Sequence, residues 1–286
     1  MPYLVIVTLI WSFSFSFIGN YISNQVDNWF AVLFRILLAF IVFLPFLKKK
    51  DITTKQILLL MGIGTSQLGI MYIFYYQSFL YITIPEILLF TTMTPIYVTL
   101  FYDLLKKQPL RLAYLFTAVL SVIGTVVIRY NKIESQFIIG FLLIQGSNLC
   151  FALGQVGYKR FMEIYPIQQV NAFAWVYAGA TITATICYLL FGNVNELPTT
   201  HIQWIVLIWL GIIASGVCYF LWNYGATKVD SGTLAIMNNM VIPLGILVNV
   251  IFWRKDIDWL SFLSGTAIII LALWIHHRWI VCKDRL

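Results

Sequence analysis

The stretch YIFYYQSFLYITIPEILLFTTMTPIYVTLF, residues 72–101, decides the fold predicted for this chain. Two apolar runs meet at residues 80–85, and Pro95 lies in the middle of the second run. A looser copy, YFLWNYGATKVDSGTLAIMNNMVIPLGILVNVIF, begins at residue 219 and contains Pro243. In both copies polar residues precede the proline by about one turn, as Thr91 and Thr92 in the first and as Asn238 and Asn239 in the second. The chain therefore contains two related halves, each with a helix that a proline weakens.

The composition identifies an integral membrane protein. Of the 286 residues, 61% are hydrophobic and 10% are charged, whereas a soluble domain has roughly 25% charged residues. The mean hydropathy is +0.88. The apolar runs are long and continuous, whereas a membrane β-barrel alternates apolar and polar residues. An all-α membrane protein is the predicted fold class.

Ten membrane-spanning helices account for nearly the whole chain, since each needs roughly 20 mostly apolar residues. The connectors are short, so consecutive helices are expected to be antiparallel neighbours in a compact bundle. The first run lacks the basic region and cleavage site of a secretory signal, so it is predicted to be a retained span. The predicted spans are residues 3–21, 29–47, 56–79, 84–104, 112–129, 137–158, 169–191, 202–224, 231–253 and 259–279.

The basic residues predict the orientation of the bundle. The net charge of +7 comes from connectors between apolar runs, which favours a topology signal over a nucleic-acid-binding surface. With a cytoplasmic N-terminus, thirteen basic residues fall on the inner side and four on the outer side. Both termini are therefore predicted to be cytoplasmic, in the inner (plasma) membrane. The inner set is Lys48, Lys49, Lys50, Lys55, Lys106, Lys107, Arg111, Lys159, Arg160, Lys228, Arg278, Lys283 and Arg285, and the outer set is Arg129, Lys132, Arg254 and Lys255.

The two halves are predicted to be inverted repeats. The pair at 106–107 follows the Pro95 helix on the inside, and the pair at 254–255 follows the Pro243 helix on the outside. Five spans per half produce this exchange of sides. The segment IWSFSFSFIGN at 10–20 is also similar to CFALGQVGYKR at 150–160. We expect repeats at 1–130 and 137–286 around a central cavity, an architecture that secondary transporters use.

These features resemble the drug/metabolite transporter superfamily, in particular its ten-helix proteins with two EamA-type repeats. The resemblance covers nearly the whole chain. It rests on Trp11-Ser12, Arg35, residues 94–96 and 242–244 around the two prolines, and the glycine helices at 124 and 265. It implies a cavity formed by spans 1, 3, 4, 6, 8 and 9, and transport of small metabolites.

Polar residues at helical spacing indicate which faces are turned towards the interior. The sixth predicted span carries Gln145, Asn148, Ala152 and Gln155 on one face, and the first carries Thr8, Ser12, Ser16 and Gly19. The alternative is that such residues join helices by hydrogen bonds without touching a substrate. The predicted substrate-cavity residues are Trp11, Ser12, Ser16, Tyr72, Tyr76, Thr91, Thr94, Gln145, Asn148, Gln155, Ser215, Tyr219, Trp222, Asn223 and Asn238.

Two charges and two prolines have predicted roles. Arg35 and Glu86 are expected to form an outer-side ion pair or a site for a substrate carboxylate. The alternative is that Arg35 extends outward to the interface while Glu86 favours a helix N-terminus. Pro95 and Pro243 are predicted hinges of alternating access, with static kinks as the alternative.

The predicted function is secondary transport of small metabolites by alternating access, with export of amino acids, aromatic or neutral, as the first hypothesis. The second is a carrier for S-adenosyl or nucleotide-derived compounds, although few basic residues are available for a bulky anion. A membrane-embedded enzyme is disfavoured, because no His, Asp or paired acid lies in mid-span and no catalytic residue is predicted.

No cofactor or metal site is predicted. Four cysteines lie in or beside spans without paired spacing, and His276 and His277 have no evident companion ligand. Proton exchange and facilitated diffusion both remain open, as do a monomer and a homodimer. The expected partners are a small-molecule substrate and the lipid bilayer.

Overall fold

A computed structural model describes residues 1–49, 52–82, 84–129, 137–254 and 258–281. The described residues form helices and no strands. Lys50, Lys132, Lys255, Lys283 and Arg285 from the charge count, and Cys282, lie outside the described residues. The helices are α1 (Pro2–Ile22), α2 (Asn28–Phe46), α3 (Thr54–Ser78), α4 (Ile84–Thr91), α5 (Thr94–Lys106), α6 (Leu112–Arg129), α7 (Phe137–Ile164), α8 (Gln169–Phe191), α9 (His201–Ala226), α10 (Ser231–Trp253) and α11 (Trp259–Ile275).

Eight helices of the described chain are long and apolar enough to cross a membrane. The predicted bounds 169–191 and 231–253 coincide with α8 and α10, and α7 extends six residues beyond the predicted end at 158. The two other predicted spans correspond to the interrupted pair α4 and α5, and to α6.

The fourth predicted span is not one continuous helix. It is interrupted at Thr92 and Met93, so that Pro95 lies in the first turn of α5. A proline is tolerated there because the first N–H groups of a helix have no partner within the helix. The prediction of Pro95 inside a helix was therefore wrong. Pro243, by contrast, does lie inside the continuous helix α10.

Polar caps fix the starts of five helices. A side-chain oxygen at each cap accepts a hydrogen bond from a backbone N–H of the first turn, which otherwise lacks a partner. Thr53 and Thr200 also form reciprocal capping boxes with a glutamine three residues later. The capping residues are Asp27, Thr53, Thr200, Asp230 and Asp258.

Two glycines bring α3 and α8 into backbone contact. A Cβ added at Gly64 would overlap the carbonyl of Val176, and one added at Gly179 would overlap the carbonyl of Met61. Small residues at such crossings let membrane helices approach closely. α3 and α8 are therefore packed backbone to backbone.

Four close contacts between acidic and basic side chains lie at one end of the bundle. Asp103 pairs with Arg111 at 2.6 Å, and Glu163 pairs with Lys159 and Arg160. Asp230, at the start of α10, lies 2.6 Å from His276 Nε2. At the same end Arg111 donates a hydrogen bond to Ser231 and Tyr102 donates one to Glu163. These contacts join the ends of α5, α7 and α11 to the starts of α6 and α10.

Candidate functional site

A cavity of about 100 Å³, counted as the space that the centre of a water molecule can reach, lies between the helices. Residues from α1, α2, α3, α4, α5, α7, α9 and α10 line it. Its position between both halves of the chain makes it the candidate site for a small molecule. Among its described lining residues there is no Asp or Glu, and Arg35 is the only Lys or Arg.

Arg35 is held in the cavity wall by hydroxyl groups. Its side chain, on α2, is 2% exposed. Nε donates to Ser215 Oγ at 2.7 Å, Nη1 to Tyr76 Oη at 3.0 Å and Nη2 to Tyr72 Oη at 2.9 Å. The guanidinium carbon also lies 4.0 Å from the centre of the Tyr72 ring, a cation–π contact.

No carboxylate of the described residues lies within ion-pair distance of Arg35. The described contacts of the guanidinium are with tyrosines of α3 and a serine of α9, and none of them is with Glu86. The guanidinium does not extend outward to the interface either. A buried cation that has neutral partners and borders a cavity is suited to an anionic group of a ligand.

The backbone of α9 forms π-helical turns over Leu210–Val217, a segment that includes Ser215, the hydrogen-bond partner of Arg35. Tyr177 Oη donates to the carbonyls of Ser215 and Gly216. Trp11 Nε1 donates to the carbonyl of Ala214 at 2.9 Å. These contacts hold the α9 backbone that carries Ser215 against α1 and α8.

Aromatic rings form one side of the cavity. The Trp11 ring lies 4.7 Å from Tyr219, 5.0 Å from Trp222 and 6.1 Å from Phe151, measured between ring centres. Tyr219 in turn lies 5.6 Å from Tyr72. Rings at these distances and inclinations attract one another and present flat apolar surface. This side of the cavity is suited to a ring of a ligand.

The cavity also borders the break between α4 and α5. The Phe90 carbonyl accepts hydrogen bonds from Asn148 Nδ2 at 2.9 Å and from Gln145 Nε2 at 3.1 Å. Thr94 Oγ1 donates to the Thr91 carbonyl at 2.7 Å, in place of the N–H that Pro95 lacks. Side chains thus satisfy carbonyls that a continuous helix would have bonded internally. Thr91, Thr94 and Asn148 also line the cavity.

The profile of the EamA-like transporter family matches residues 1–130 and 138–276. The chain belongs to the EamA-like transporter family. It is 50% identical over 284 residues to a protein of Salmonella typhimurium named "Biotin transporter", covering 99% of this chain and 95% of that protein. It is 25% identical over 186 residues, 63% of each chain, to the "Aromatic amino acid exporter YddG" of Ancylobacter novellus. A protein crystal structure shares its fold, with a TM-score of 0.75 at 18% identity over 96% of this chain and 95% of that one.

Membership of the EamA-like family makes the chain a membrane transporter and confirms that it is not an enzyme. The predicted resemblance to the drug/metabolite superfamily is confirmed as well. Transport of a small molecule across a lipid bilayer is accordingly the function of the family.

Eight of the fifteen predicted cavity residues line the cavity: Trp11, Tyr72, Thr91, Thr94, Asn148, Tyr219, Trp222 and Asn238. The other seven are buried without lining it: Ser12, Ser16, Tyr76, Gln145, Gln155, Ser215 and Asn223. Tyr76 and Ser215 hold Arg35, and Gln155 accepts from Trp222 Nε1 at 2.8 Å. Asn223 accepts from Gln67 Nε2 at 3.2 Å. Most of the seven therefore support lining residues or join helices.

The face of α1 was predicted one position out of register. The structure turns Thr8, Trp11, Phe15 and Ile18 towards the cavity, a stripe at i, i+3, i+7 and i+10 that the sequence also contains. Ser12 instead donates to the carbonyl of Leu9 in its own helix. Small serines allow close helix packing, so a serine stripe does not distinguish a cavity from a helix contact.

The prediction missed several other lining residues, among them Ser14, Tyr75, Ser147 and Phe151. Ser14 is 7% exposed, and its hydroxyl has no hydrogen-bond partner among the described residues. Phe151 follows Asn148 by three positions on α7, so the amide stripe at that spacing could have identified it.

Two basic residues are buried at the ion-paired end. Lys159, expected near water, is 5% exposed and donates to the carbonyls of Ala226 and Val229. His276 is fully buried, and its ring nitrogens contact Asp230 and Thr117. Burial raises the pKa of Asp230, but hydrogen bonds from His276 and Thr233 outweigh it and hold that pKa below its ordinary value. No group of three potential metal ligands exists among the described residues.

Proposed function

We propose that this chain transports biotin, and that Arg35 binds its carboxylate. The observation that carries the proposal is the 50% identity, over 99% of the chain, to a protein named "Biotin transporter". Identity at this level along the whole chain supports a shared substrate more strongly than a relative at 25% over part of the chain.

The chemistry of the cavity agrees with the proposal. Biotin carries a single carboxylate on a flexible apolar tail and ends in a neutral bicyclic urea. Arg35 offers the cation for the carboxylate, and the rings of Trp11 and Tyr219 offer apolar surface for the tail and the bicycle. Asn148 and Asn238 carry amides, which both donate to and accept from a urea.

Amino-acid export remains the second candidate, because of the relative named as an aromatic amino acid exporter. An amino acid carries an ammonium group as well as a carboxylate. The described lining residues include no Asp or Glu to pair with it, so the ammonium would depend on aromatic faces alone. A single lining cation likewise disfavours nucleotide-derived anions. A monoanion with a neutral ring fits better.

The proposal includes the predicted architecture. The interrupted pair α4 and α5, together with α6, completes ten spans, and the units at 1–130 and 137–286 are inverted repeats around the cavity. Both termini lie in the cytoplasm, which places the ion-paired end there. The two repeats then expose Arg35 alternately to either side of the inner membrane.

Flux of tritiated biotin across liposomes that contain the purified protein tests the proposal. We expect saturable flux that unlabelled biotin and desthiobiotin inhibit, and that biotin methyl ester, which lacks the carboxylate, leaves unchanged. Loading the label inside or outside gives the direction. Biotin flux no greater than in empty liposomes would overturn the proposal, and saturable flux of phenylalanine in its place would select the second candidate.

Substitution of Arg35 tests its assignment in the same assay. Loss of a charge-assisted hydrogen bond costs about 1.5–3 kcal/mol, so Arg35→Ala should raise the KM for biotin about 10- to 100-fold. Arg35→Lys keeps the charge but cannot bind a carboxylate through two nitrogens, so it should restore only part of the affinity. Arg278→Ala, at an exposed arginine, is the matched control. An unchanged KM in folded Arg35→Ala protein would contradict the assignment.

A further inference from the structure

Asn148 contacts both the cavity and the break between α4 and α5. It lines the cavity, and its Nδ2 donates to the Phe90 carbonyl at 2.9 Å. A carbonyl only accepts hydrogen bonds, so the amide nitrogen must face Phe90. Asn148 Oδ1 receives no hydrogen bond from the described residues. One end of this amide therefore holds the broken helix, and the other end is free to accept a hydrogen bond from a ligand.

Gln145, one turn earlier on α7, is a natural comparison. It donates to the same Phe90 carbonyl at 3.1 Å, but it does not line the cavity. Its Oε1 already accepts a hydrogen bond from Tyr97 of α5 at 2.9 Å. Gln145 thus connects both sides of the break and has no contact with the cavity. The two amides share one carbonyl and differ in access to a ligand.

The Phe90 carbonyl would lose stabilising free energy if its hydrogen-bond donors were removed. It accepts hydrogen bonds from Asn148 and Gln145 of α7, and Phe90 is buried. An unsatisfied carbonyl in an apolar region is strongly unfavourable, so the donors that hold it fix the position of α4 relative to α7. A ligand that competes for one of those donors would weaken the attachment of α4 to α7 at the break.

We infer that Asn148 is the residue through which a bound substrate weakens the hydrogen bonding at the break between α4 and α5. The inference rests on the proposed transport of biotin. A urea N–H would donate to Oδ1, and the urea oxygen would compete with the Phe90 carbonyl for Nδ2. The bound substrate would thereby weaken one of the hydrogen bonds from α7 that hold the end of α4, and α4 and α5 could then change their relative position. Asn148 is on this account a positioning residue of the transport cycle, whereas Gln145 only holds the break together.

The test compares Asn148→Ala with Gln145→Ala in lipid nanodiscs and liposomes. Biotin binding, biotin flux, and hydrogen–deuterium exchange of backbone amides over residues 86–106 are measured with and without biotin. In the wild-type protein, biotin should increase exchange over 86–106. Asn148→Ala should raise the Kd about three- to tenfold, lower flux at saturating biotin more than tenfold, and abolish the change in exchange.

Gln145→Ala should show faster exchange without biotin and should keep the response to biotin. Asn148→Ser, which retains a donor and an acceptor, should recover part of the flux and also serves if the alanine variant does not fold.

The outcomes separate two failures. A wild-type protein that neither binds nor moves biotin overturns the proposed function, and this inference with it. A wild-type protein that moves biotin, with an Asn148→Ala variant that raises only KM at unchanged kcat, overturns the inference alone, because Asn148 then contributes only binding. The same loss of response in both variants also overturns it, because the cavity contact would then be irrelevant.

Discussion

Asn239 of α10 donates a hydrogen bond of 3.3 Å from its side-chain amide to the backbone carbonyl of Thr92. Thr92 lies at the break before Pro95, and Asn239 lies one turn before Pro243. The two proline-bearing segments of the chain are therefore joined directly at their weakest points. Asn239 Nδ2 also lies 3.3 Å from Ser121 Oγ, which adds α6 to this contact.

Asn239→Leu should destabilise the protein. The substitution is close in volume but removes the donor to the buried Thr92 carbonyl, and an unsatisfied buried group costs about 1–3 kcal/mol. The measurement is thermal unfolding in detergent. Asn249→Ala is the control, since the half-buried Asn249 donates only to the Gly245 carbonyl of its own helix. Equal melting temperatures for the wild-type protein and Asn239→Leu would contradict this account of the break.

Gly64→Ala should prevent normal packing of α3 on α8. The added Cβ would overlap the carbonyl of Val176, which is backbone and cannot move aside alone. We expect a loss of at least about 2 kcal/mol of unfolding free energy, or no folded protein. Gly62→Ala, two residues earlier, meets nothing within 4 Å and should be neutral or stabilising by up to about 1 kcal/mol. A folded Gly64→Ala protein as stable as Gly62→Ala would show that this backbone contact is not essential.

Tyr72→Phe should weaken substrate binding without unfolding the protein. The phenol oxygen accepts from Arg35 Nη2 and lies 3.1 Å from Ser215 Oγ, so its loss leaves the guanidinium less firmly oriented. On the proposed transport of biotin, a lost hydrogen bond of about 1 kcal/mol corresponds to roughly a fivefold rise in KM. Tyr3→Phe, at a tyrosine 37% exposed, is the control. The KM from liposome flux is the measurement, and an unchanged value would exclude Tyr72 from positioning the arginine.

Protonation of Asp230 in acid should lower the free energy of unfolding of the protein. Its folded-state pKa is lowered, so its carboxylate stabilises the fold at pH values above the unfolded pKa near 4, and this contribution is lost as the pH falls through the folded pKa. Asp230→Asn keeps a capping oxygen but removes the charge, and should cost about 1–3 kcal/mol at neutral pH. Unfolding measured between pH 2 and 7 should show the wild-type advantage shrinking only below about pH 4. An advantage independent of pH would contradict this role, and Asp258→Asn, at an exposed cap without a histidine, is the comparison.

The sequence predicted the helices well and the depth of side chains less well. Uninterrupted apolar length determines a span, so α8 and α10 were predicted residue by residue. The stripe on α7 correctly identified an interior face. Periodicity gives the direction of a side chain but not its distance from the centre, so Asn148 lines the cavity while Gln145, on the same face, does not.

Contacts between distant parts of the chain were beyond sequence reasoning. Arg35 and Ser215 are 180 positions apart, and nothing local indicates that a serine of α9 accepts from that guanidinium. His276 and Asp230 likewise meet only through the packing of α10 on α11. The break at Thr92 was missed for a related reason. Pro95 indicates a weak point, but the helix can end before it only because side chains of α7 and α10 satisfy the released carbonyls.

Because of their close backbone contact, α3 and α8 are expected to move together. Tyr72 and Tyr76 belong to α3, and Tyr177, which holds the α9 backbone at Ser215, belongs to α8. All three are anchored in helices whose backbones touch at Gly64 and Gly179. We therefore expect the guanidinium of Arg35 to keep its position relative to α3 and α8 during transport, so that a carboxylate bound to it would stay in place while other helices move.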